Sequence, residues 1–150
     1  MENIKITYQD KLALILNSDC EPIQIDCDLP VLGEGNNRIV YDLGDKVLKV
    51  AKSFEASVHN QNEYKLWESL GEKSKILKIN RIFEIDDNGY WYVAEKIDIF
   101  PEAMKEVLRY ISWFDYSVNA GYDSSHKLTI VDAENISCKD ITYLLDKGII

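Results

Sequence analysis

The stretch LGEGNNRIVYDLGDKVLKVAK, residues 32–52, decides the fold class of this chain. Gly33 and Gly35 lie near its start, and two apolar runs follow on either side of a turn at Gly44-Asp45. Runs rich in β-branched residues that flank a glycine-containing turn predict an antiparallel hairpin. The first two glycines predict a turn in which the backbone can approach a phosphate closely and offer it amide donors.

The chain around Lys49 predicts a second element of a phosphate site. Lys49 lies in the second strand of the hairpin, and Glu63 lies in the segment from Ala56 to Leu70, which predicts a helix. A lysine so placed can reach a phosphate, and a glutamate on the next helix can pair with it and hold it. The alternative is that Lys49 is a solvated strand residue, that Glu63 lies on an exposed helix face and that the glycines serve only the hairpin.

The remaining segments predict a mixture of helices and strands. Upstream, Thr7 to Asn17 predicts a short helix capped by Thr7, and the alternation around Ile23 and Ile25 predicts extended chain. Downstream, the apolar periodicity predicts five elements. They are a strand pair Ile76–Ile85 and Tyr90–Ile97 around an Asn88-Gly89 turn, a helix from Pro101 to about Val118, a strand Lys127–Val131, and a last helix after Ser137 with Ile141, Leu144 and Leu145 inward. The predicted fold class is α+β, with an antiparallel sheet, a helix that follows it and a small C-terminal helical appendix.

The composition is that of an acidic, folded chain. Its 150 residues, 46% of them hydrophobic, predict a single domain with one core, and the net charge is -9. This surplus of carboxylates argues against direct binding to nucleic-acid phosphates and to anionic membranes. The three cysteines have the spacing of neither a disulfide framework nor a zinc site, so we expect a cytoplasmic protein with reduced thiols.

The order of these features resembles the N-terminal lobe of the protein-kinase-like fold. Residues 32–41 are similar to its Gly-rich loop, L-G-x-G-x-x-G-x-V, and Val47-Leu48-Lys49-Val50 is similar to the strand that carries its phosphate-binding lysine. Lys52 is the alternative register for that lysine. Glu63 stands where the family has the helix glutamate that pairs with the lysine. The resemblance therefore implies a nucleotide site that begins with Gly33 and Gly35.

Two later segments extend the resemblance. Tyr92 to Ile97 is similar to the fifth strand running into the hinge, which implies that adenine would lie against the backbone of Glu95 and Ile97. Leu128 to Asn135 is similar to the strand and Asp-Phe-Gly segment, which implies Asp132 as a magnesium ligand. If ATP and magnesium are the cofactor, the resemblance implies that it is bound by Gly33, Gly35, Lys49, Glu63, Glu95 and Asp132.

The resemblance divides the predicted single domain, residues 1–150, into three parts. Residues 1–29 form an N-terminal helix and extended segment, and residues 30–98 form the core similar to a kinase N-lobe. Residues 99–150 form a helical appendix with a short strand.

Several departures from the family argue against catalysis. Arg38 replaces the third glycine, and Asp132-Ala133-Glu134 stands in place of Asp-Phe-Gly. The catalytic-loop string H-R-D-x-x-x-x-N occurs nowhere, and only 37 positions separate Glu95 from Asp132 (132 minus 95). Asp115 and Asn119 lie in that interval, and we interpret them as helix surface and helix cap. We therefore assign no catalytic residue.

These observations favour a non-catalytic protein-binding module that regulates or inhibits a protein partner. Because the chain is acidic, we expect that partner to be basic. By analogy, phages and mobile elements encode small acidic proteins of this kind against host defences, as anti-CRISPR proteins do. The alternative function is a small ATP-binding phosphotransferase that uses Lys49, Glu63 and Asp132. A third interpretation is an obligate partner whose missing lobe is supplied by another chain.

The sequence leaves two interpretations open for each of two further features. The aromatic run Tyr90-Trp91-Tyr92 predicts core packing, and the alternative is a set of interface anchors. The acidic groups at Asp86-Asp87, Asp98 and Glu102 predict a solvated surface, and the alternative is mimicry of nucleic-acid phosphates toward a basic protein.

Overall fold

The structure of the protein, a computed structural model, describes residues 4–8, 11–70, 76–111, 119–132 and 138–150. Within these residues the protein is α+β, with three sheets and three helices. The strands are β1 (Ile4–Tyr8), β2 (Lys11–Asn17), β3 (Gln24–Cys27), β4 (Val31–Glu34), β5 (Arg38–Asp42), β6 (Lys46–Ala51), β7 (Leu77–Ile79), β8 (Ile82–Ile85), β9 (Trp91–Glu95), β10 (Ala120–Tyr122) and β11 (Leu128–Ile130). The helices are α1 (Phe54–Leu70), α2 (Pro101–Tyr110) and α3 (Cys138–Asp146).

The chain divides into two compact units. The first comprises Met1–Gln61 and Ile82–Ala94, and the second comprises Asn62–Arg81 and Glu95–Ile150. The residues of α1 are therefore shared between the two units.

The first unit contains two sheets, in which the pairs β1–β2, β2–β3, β4–β5, β5–β6 and β8–β9 are antiparallel. One has the order β1-β2-β3, and the other has the order β4-β5-β6-β9-β8. The hairpin predicted from residues 32–52 is confirmed, because β5 and β6 pair with Tyr41 opposite Leu48. Gly44 occupies the turn at φ +96, a backbone conformation that glycine adopts without steric cost. β6 is a central strand of its sheet and is buried along nearly its whole length.

The helix predicted for residues 7–17 is wrong. β1 and β2 pair antiparallel there, and β2 also pairs with β3. Leu14 and Leu16 are fully buried while Ile15 between them is half-buried, which is the period of two that a strand requires. A short apolar run satisfies helical and strand spacing equally well, so pairing with neighbouring strands decided the outcome. The extended segment around Ile25 is confirmed as β3.

The core of the first unit is formed by apolar side chains from both of its sheets. A cluster of nine buried side chains includes the large residues of β2, β5, β6 and β9. Its members are Leu14, Leu16, Ile23, Tyr41, Leu43, Leu48, Val50, Trp91 and Val93. Trp91 therefore packs in this core, as predicted for the aromatic run, and does not form an exposed anchor.

The second unit contains a three-stranded sheet of order β10-β11-β7 and most of the helical residues. β10 pairs antiparallel with β11, and β11 pairs parallel with β7. α2 begins at the predicted Pro101, and a buried apolar cluster joins the helices to the sheet. The cluster comprises Leu70, Leu77, Ile79, Ala103, Val107, Ile111, Ala120, Leu128, Ile130, Leu144, Ile149 and Ile150.

Three further sequence predictions are corrected. The strand predicted over residues 76–85 is two strands, because β7 pairs with β11 whereas β8 pairs with β9. α2 ends at Tyr110 with Ile111 as its C-cap, short of the predicted Val118, and residues 112–118 lie outside the described chain. In α3, Leu144 is fully buried as predicted, but Leu145 is 51% exposed. Ser137, the predicted cap, lies outside the described residues.

Candidate functional site

The two loop glycines lie on an exposed strand. Gly33 is in β4, whose four residues are all exposed, and Gly35 follows it directly. Neither has a positive φ, and a Cβ added at either would meet no described heavy atom within 4 Å. Neither the backbone conformation nor packing within the described chain therefore requires glycine at these positions.

Lys52, the alternative candidate for the phosphate-binding lysine, is bound to Glu34 and Gly35 at the end of β4. Its Nζ donates a hydrogen bond to Glu34 Oε1 at 2.8 Å and another to the Gly35 carbonyl oxygen at 3.0 Å. The ammonium group thus fastens the end of β4 to the residue that follows β6. This contact is exposed, so its contribution to stability is modest, on the order of 0.5 kcal/mol.

Arg38, which replaces the third glycine of the kinase pattern, is buried within the first unit. Its side chain is only 7% exposed. Nη1 donates a hydrogen bond of 2.7 Å to Tyr92 Oη and one of 3.3 Å to Asn60 Oδ1. The guanidinium carbon also lies 5.8 Å from the centre of the Tyr92 ring, within the range of a cation–π interaction. The loop position that a phosphate would approach therefore carries a side chain directed into the protein.

Lys49 and Glu63 are both buried, which excludes the interpretation that they are solvated surface residues. Lys49 is 2% exposed and Glu63 is 3% exposed. The Lys49 ammonium lies 5.6 Å from the centre of the Tyr92 ring. Charged side chains are seldom buried unless they are paired, and both of these residues have interaction partners.

The backbone of Glu95, the implied adenine contact, is already hydrogen-bonded within the second unit. Its N–H donates to the Arg81 carbonyl oxygen at 2.9 Å, and its carbonyl accepts a hydrogen bond of 3.1 Å from Asn80 Nδ2. Its carboxylate accepts a hydrogen bond of 3.1 Å from Lys78 Nζ. These contacts fix Glu95 at the end of β9, and its N–H is already bound to the Arg81 carbonyl oxygen.

Lys78 joins Glu95 to Asp123 in an ion-pair cluster of the second unit. Its Nζ lies 2.7 Å from Asp123 Oδ2. Burial raises the pKa of the Asp123 carboxyl, but the Lys78 ammonium and two backbone N–H groups outweigh this effect and hold the pKa below its usual value. Burial likewise lowers the pKa of Lys78, but its two carboxylate partners outweigh this effect and raise it. Both groups are thus held in their charged forms.

Asp132, the implied metal ligand, is hydrogen-bonded to Asn119. The Asn119 side-chain amide donates to Asp132 Oδ2 at 2.7 Å, and the Asn119 carbonyl accepts a hydrogen bond of 2.8 Å from the Val131 N–H. The interpretation of Asn119 as the cap of the preceding helix is wrong, since Ile111 caps that helix. Asp115 lies outside the described residues.

The two side chains at Asn119 and Asp132 offer oxygens of the kind that magnesium prefers. They are only two side chains, and nowhere in the described chain are three or more histidine, cysteine or acidic side chains grouped so that they could hold a metal ion.

Sequence reasoning missed the polar residues that hold this framework. Asn60 is fully buried in α1, where its Nδ2 donates to the Gly89 carbonyl at 2.9 Å and its Oδ1 accepts from Arg38. Asn80 follows β7 and binds the Glu95 carbonyl. No sequence pattern around Asn60 or Asn80 identifies either residue, because both bind residues at least 15 positions away in the chain.

The sequence matches no protein-family model and no curated protein. The resemblance to a kinase N-lobe therefore stays a prediction from the sequence. Among the described helices, none combines the length and apolar character needed to cross a lipid bilayer.

Proposed function

We propose that this protein is a non-catalytic, kinase-N-lobe-like module that binds a protein partner and regulates or inhibits it. Inhibition of a host defence system, the role of anti-CRISPR proteins, is one activity of this class. The burial of Arg38 is the observation that carries the proposal.

In phosphoryl transfer a Gly-rich loop covers the nucleotide phosphates, and its backbone must approach them closely. Here the third position of the loop pattern is Arg38, which donates hydrogen bonds to Tyr92 and Asn60 from a buried position. Hydrogen bonds from a charged donor contribute about 1.5–3 kcal/mol each. Turning the guanidinium out toward a phosphate would cost that stabilisation, so the loop favours its internal contacts over a nucleotide.

The sequence also lacks a group to orient an acceptor hydroxyl. No H-R-D-x-x-x-x-N string occurs in it. Phosphoryl transfer depends on positioning and electrostatic stabilisation, so a chain without that group is expected to have little transferase activity. A net charge of -9 favours a basic partner, since opposite charge accelerates association and like charge suppresses it.

Titration of the protein with ATP and magnesium tests by thermal shift whether the buried Arg38 disfavours nucleotide binding. We expect the melting temperature to stay constant, because a ligand that does not bind the folded state cannot stabilise it. Lys49→Met is a better control than Lys49→Ala because it keeps the buried volume at this 2%-exposed position. A saturable rise in melting temperature that Lys49→Met abolishes would show that a nucleotide binds despite the burial of Arg38, and would remove the observation that carries the proposal.

Affinity capture tests the binding part. The tagged protein should retain a defined basic partner, and the complex should weaken as salt is added. If the protein stays alone at every salt concentration, the binding module is refuted whatever the outcome with ATP.

A small ATP-binding phosphotransferase is the second candidate. The burial of Lys49 and Glu63 and the 2.7 Å hydrogen bond between Asn119 and Asp132 favour it. This candidate predicts that the ATP-dependent thermal shift requires magnesium and is lost in Asp132→Ala. A magnesium-independent shift, or no shift, excludes it.

A further inference from the structure

β4 forms one edge of the five-stranded sheet. β4 pairs with β5 on one side, and no other described strand pairs with it. Val31 is 58% exposed and Leu32 is 49% exposed, so apolar side chains accompany the free backbone edge. The unpaired N–H and C=O groups of an edge strand can pair with an extended segment of another chain.

The opposite edge of the same sheet differs. β8 carries Phe83, and Lys46 Nζ lies 4.7 Å from the centre of its ring. Lys46 belongs to the central strand β6, and its ammonium over this ring places a positive charge beside β8, which repels a positively charged segment. β4 is therefore the better docking edge of the two.

Exposed carboxylates surround β4. Asp26 lies in β3, Asp28 lies between β3 and β4, and Glu34 ends β4. Burial raises the pKa of the Tyr41 phenol, and the nearby Cys27, Glu34 and Asp26 raise it further. The carboxylates of Glu34 and Asp26 thus lie within electrostatic range of the residue that pairs with Val31. Since Lys52 binds Glu34, the net negative charge of this edge comes mainly from the two aspartates.

We propose that β4 is the docking edge for an extended, basic segment of a partner protein, which adds to the sheet as a further strand. Main-chain hydrogen bonds to β4 supply the affinity, contacts with Val31 and Leu32 bury apolar surface, and Asp26 and Asp28 select for lysine or arginine. This inference rests on the proposed binding function and assigns it a surface and a partner chemistry.

The same charges disfavour other occupants. A symmetric β4–β4 pairing of two copies would bring Asp26, Asp28 and Glu34 of both copies to one interface, and like charges across paired strands are destabilising. Nucleic-acid phosphates would be repelled by the same side chains.

A synthetic ten-residue peptide that alternates lysine with valine or threonine, blocked at both ends, is a direct probe. Fluorescence anisotropy at low salt should give saturable binding, and amide NMR signals of residues 31–34 should shift on titration. The matched peptide with glutamate in place of lysine should not bind. Lack of saturable binding, equal binding of both peptides, or amide shifts confined to β8 would overturn the proposal.

Paired charge reversals provide the matched control. Asp26→Lys with Asp28→Lys should weaken peptide binding about tenfold, as expected for the loss of two exposed ion pairs and the gain of repulsion. Glu84→Lys with Asp87→Lys makes the same change in net charge at exposed positions of β8 and its turn. This control should weaken binding less than about threefold. An equal loss in both variants would indicate attraction by net charge alone and would refute the β4 assignment.

The outcome with a captured partner separates this inference from the proposed function. If a partner is captured and binds the Asp26→Lys, Asp28→Lys variant as tightly as the parent, the β4 assignment fails and the binding module stands. If sedimentation shows that the protein dimerises and that the same variant dissociates the dimer, the occupant is a second copy and the basic-segment proposal is wrong.

Discussion

Removal of one hydroxyl group, by Tyr92→Phe, should destabilise the protein more than its size suggests. Tyr92 is 1% exposed, and its Oη accepts a 2.7 Å hydrogen bond from the buried Arg38 guanidinium. The substitution keeps the ring, so the cation–π contacts with Arg38 and Lys49 persist. The measured change therefore reports the contacts of the hydroxyl group, among which is the hydrogen bond from the buried guanidinium.

The expected loss in the free energy of unfolding is about 1.5–3 kcal/mol, the range for a hydrogen bond to a charged group. Urea unfolding followed by circular dichroism and tryptophan fluorescence measures it. With a denaturant slope of about 2 kcal/mol per M, the midpoint should fall by about 1 M. Arg38→Met should cost more, because it also removes the hydrogen bond to Asn60 and the cation–π contact. The double variant should cost less than the sum of the two single variants, because Arg38 and Tyr92 share one hydrogen bond.

Tyr90→Phe is the matched control in the same unit. Tyr90 is half-buried against the same core, and its hydroxyl makes no hydrogen bond within the described part of the chain. Its loss should change the free energy of unfolding by less than about 0.5 kcal/mol. If Tyr92→Phe is no more destabilising than Tyr90→Phe, the Arg38 guanidinium is not held by this contact and would not oppose the approach of a nucleotide phosphate.

Five further substitutions test three other parts of the fold by their urea midpoints. Because the folded-state pKa of Asp123 lies below its ordinary value, its stabilisation is complete above about pH 5 and is lost as the pH falls through the folded pKa. Asp123→Asn should thus lower the midpoint at pH 7 and flatten its decline on acidification, and an unchanged pH profile would contradict this. Leu144→Ala should cost about 2–5 kcal/mol, whereas Leu145→Ala on the exposed side of α3 should cost little, and equal costs would refute the assigned helix face. Gly33→Ala should be nearly neutral, because its Cβ would meet open space. Gly89→Ala should cost on the order of 2 kcal/mol, because Gly89 has φ +77 and its Cβ would meet a backbone carbonyl oxygen. A larger loss for Gly33→Ala than for Gly89→Ala would contradict the positive-φ turn at Gly89.

Local chemistry predicted several elements correctly. The Gly44-Asp45 turn and the Asn88-Gly89 turn each join paired antiparallel strands, and α2 begins at Pro101. α1 begins two residues before the predicted Ala56, since the Ser53 hydroxyl accepts a hydrogen bond of 3.1 Å from the Ala56 N–H. Turn residues, capping side chains and proline act within a few positions of the chain, so they are legible without a tertiary structure.

Candidate site residues were harder to interpret. The sequence singled out Lys49 and Glu63 but left open whether they are solvated, and it placed Arg38 beside a phosphate site. Burial of all three depends on what packs over them, and for Arg38 the acceptors are Tyr92, 54 residues away, and Asn60, 22 residues away. Partners so distant in sequence leave no periodic signal near the residue that they bind.

The sequence by itself determined the α+β class, the hairpin from residue 38 to residue 51, the long helix after it and the acidic character of the chain. Only the tertiary structure decided that residues 11–17 form a strand, that residues 76–85 divide between two sheets and that Arg38 lies inside the first unit. Turns and caps are set by interactions between near neighbours in the chain. The choice between strand and helix for a short apolar run, and the direction of a buried charge, are set by partners that only folding brings together.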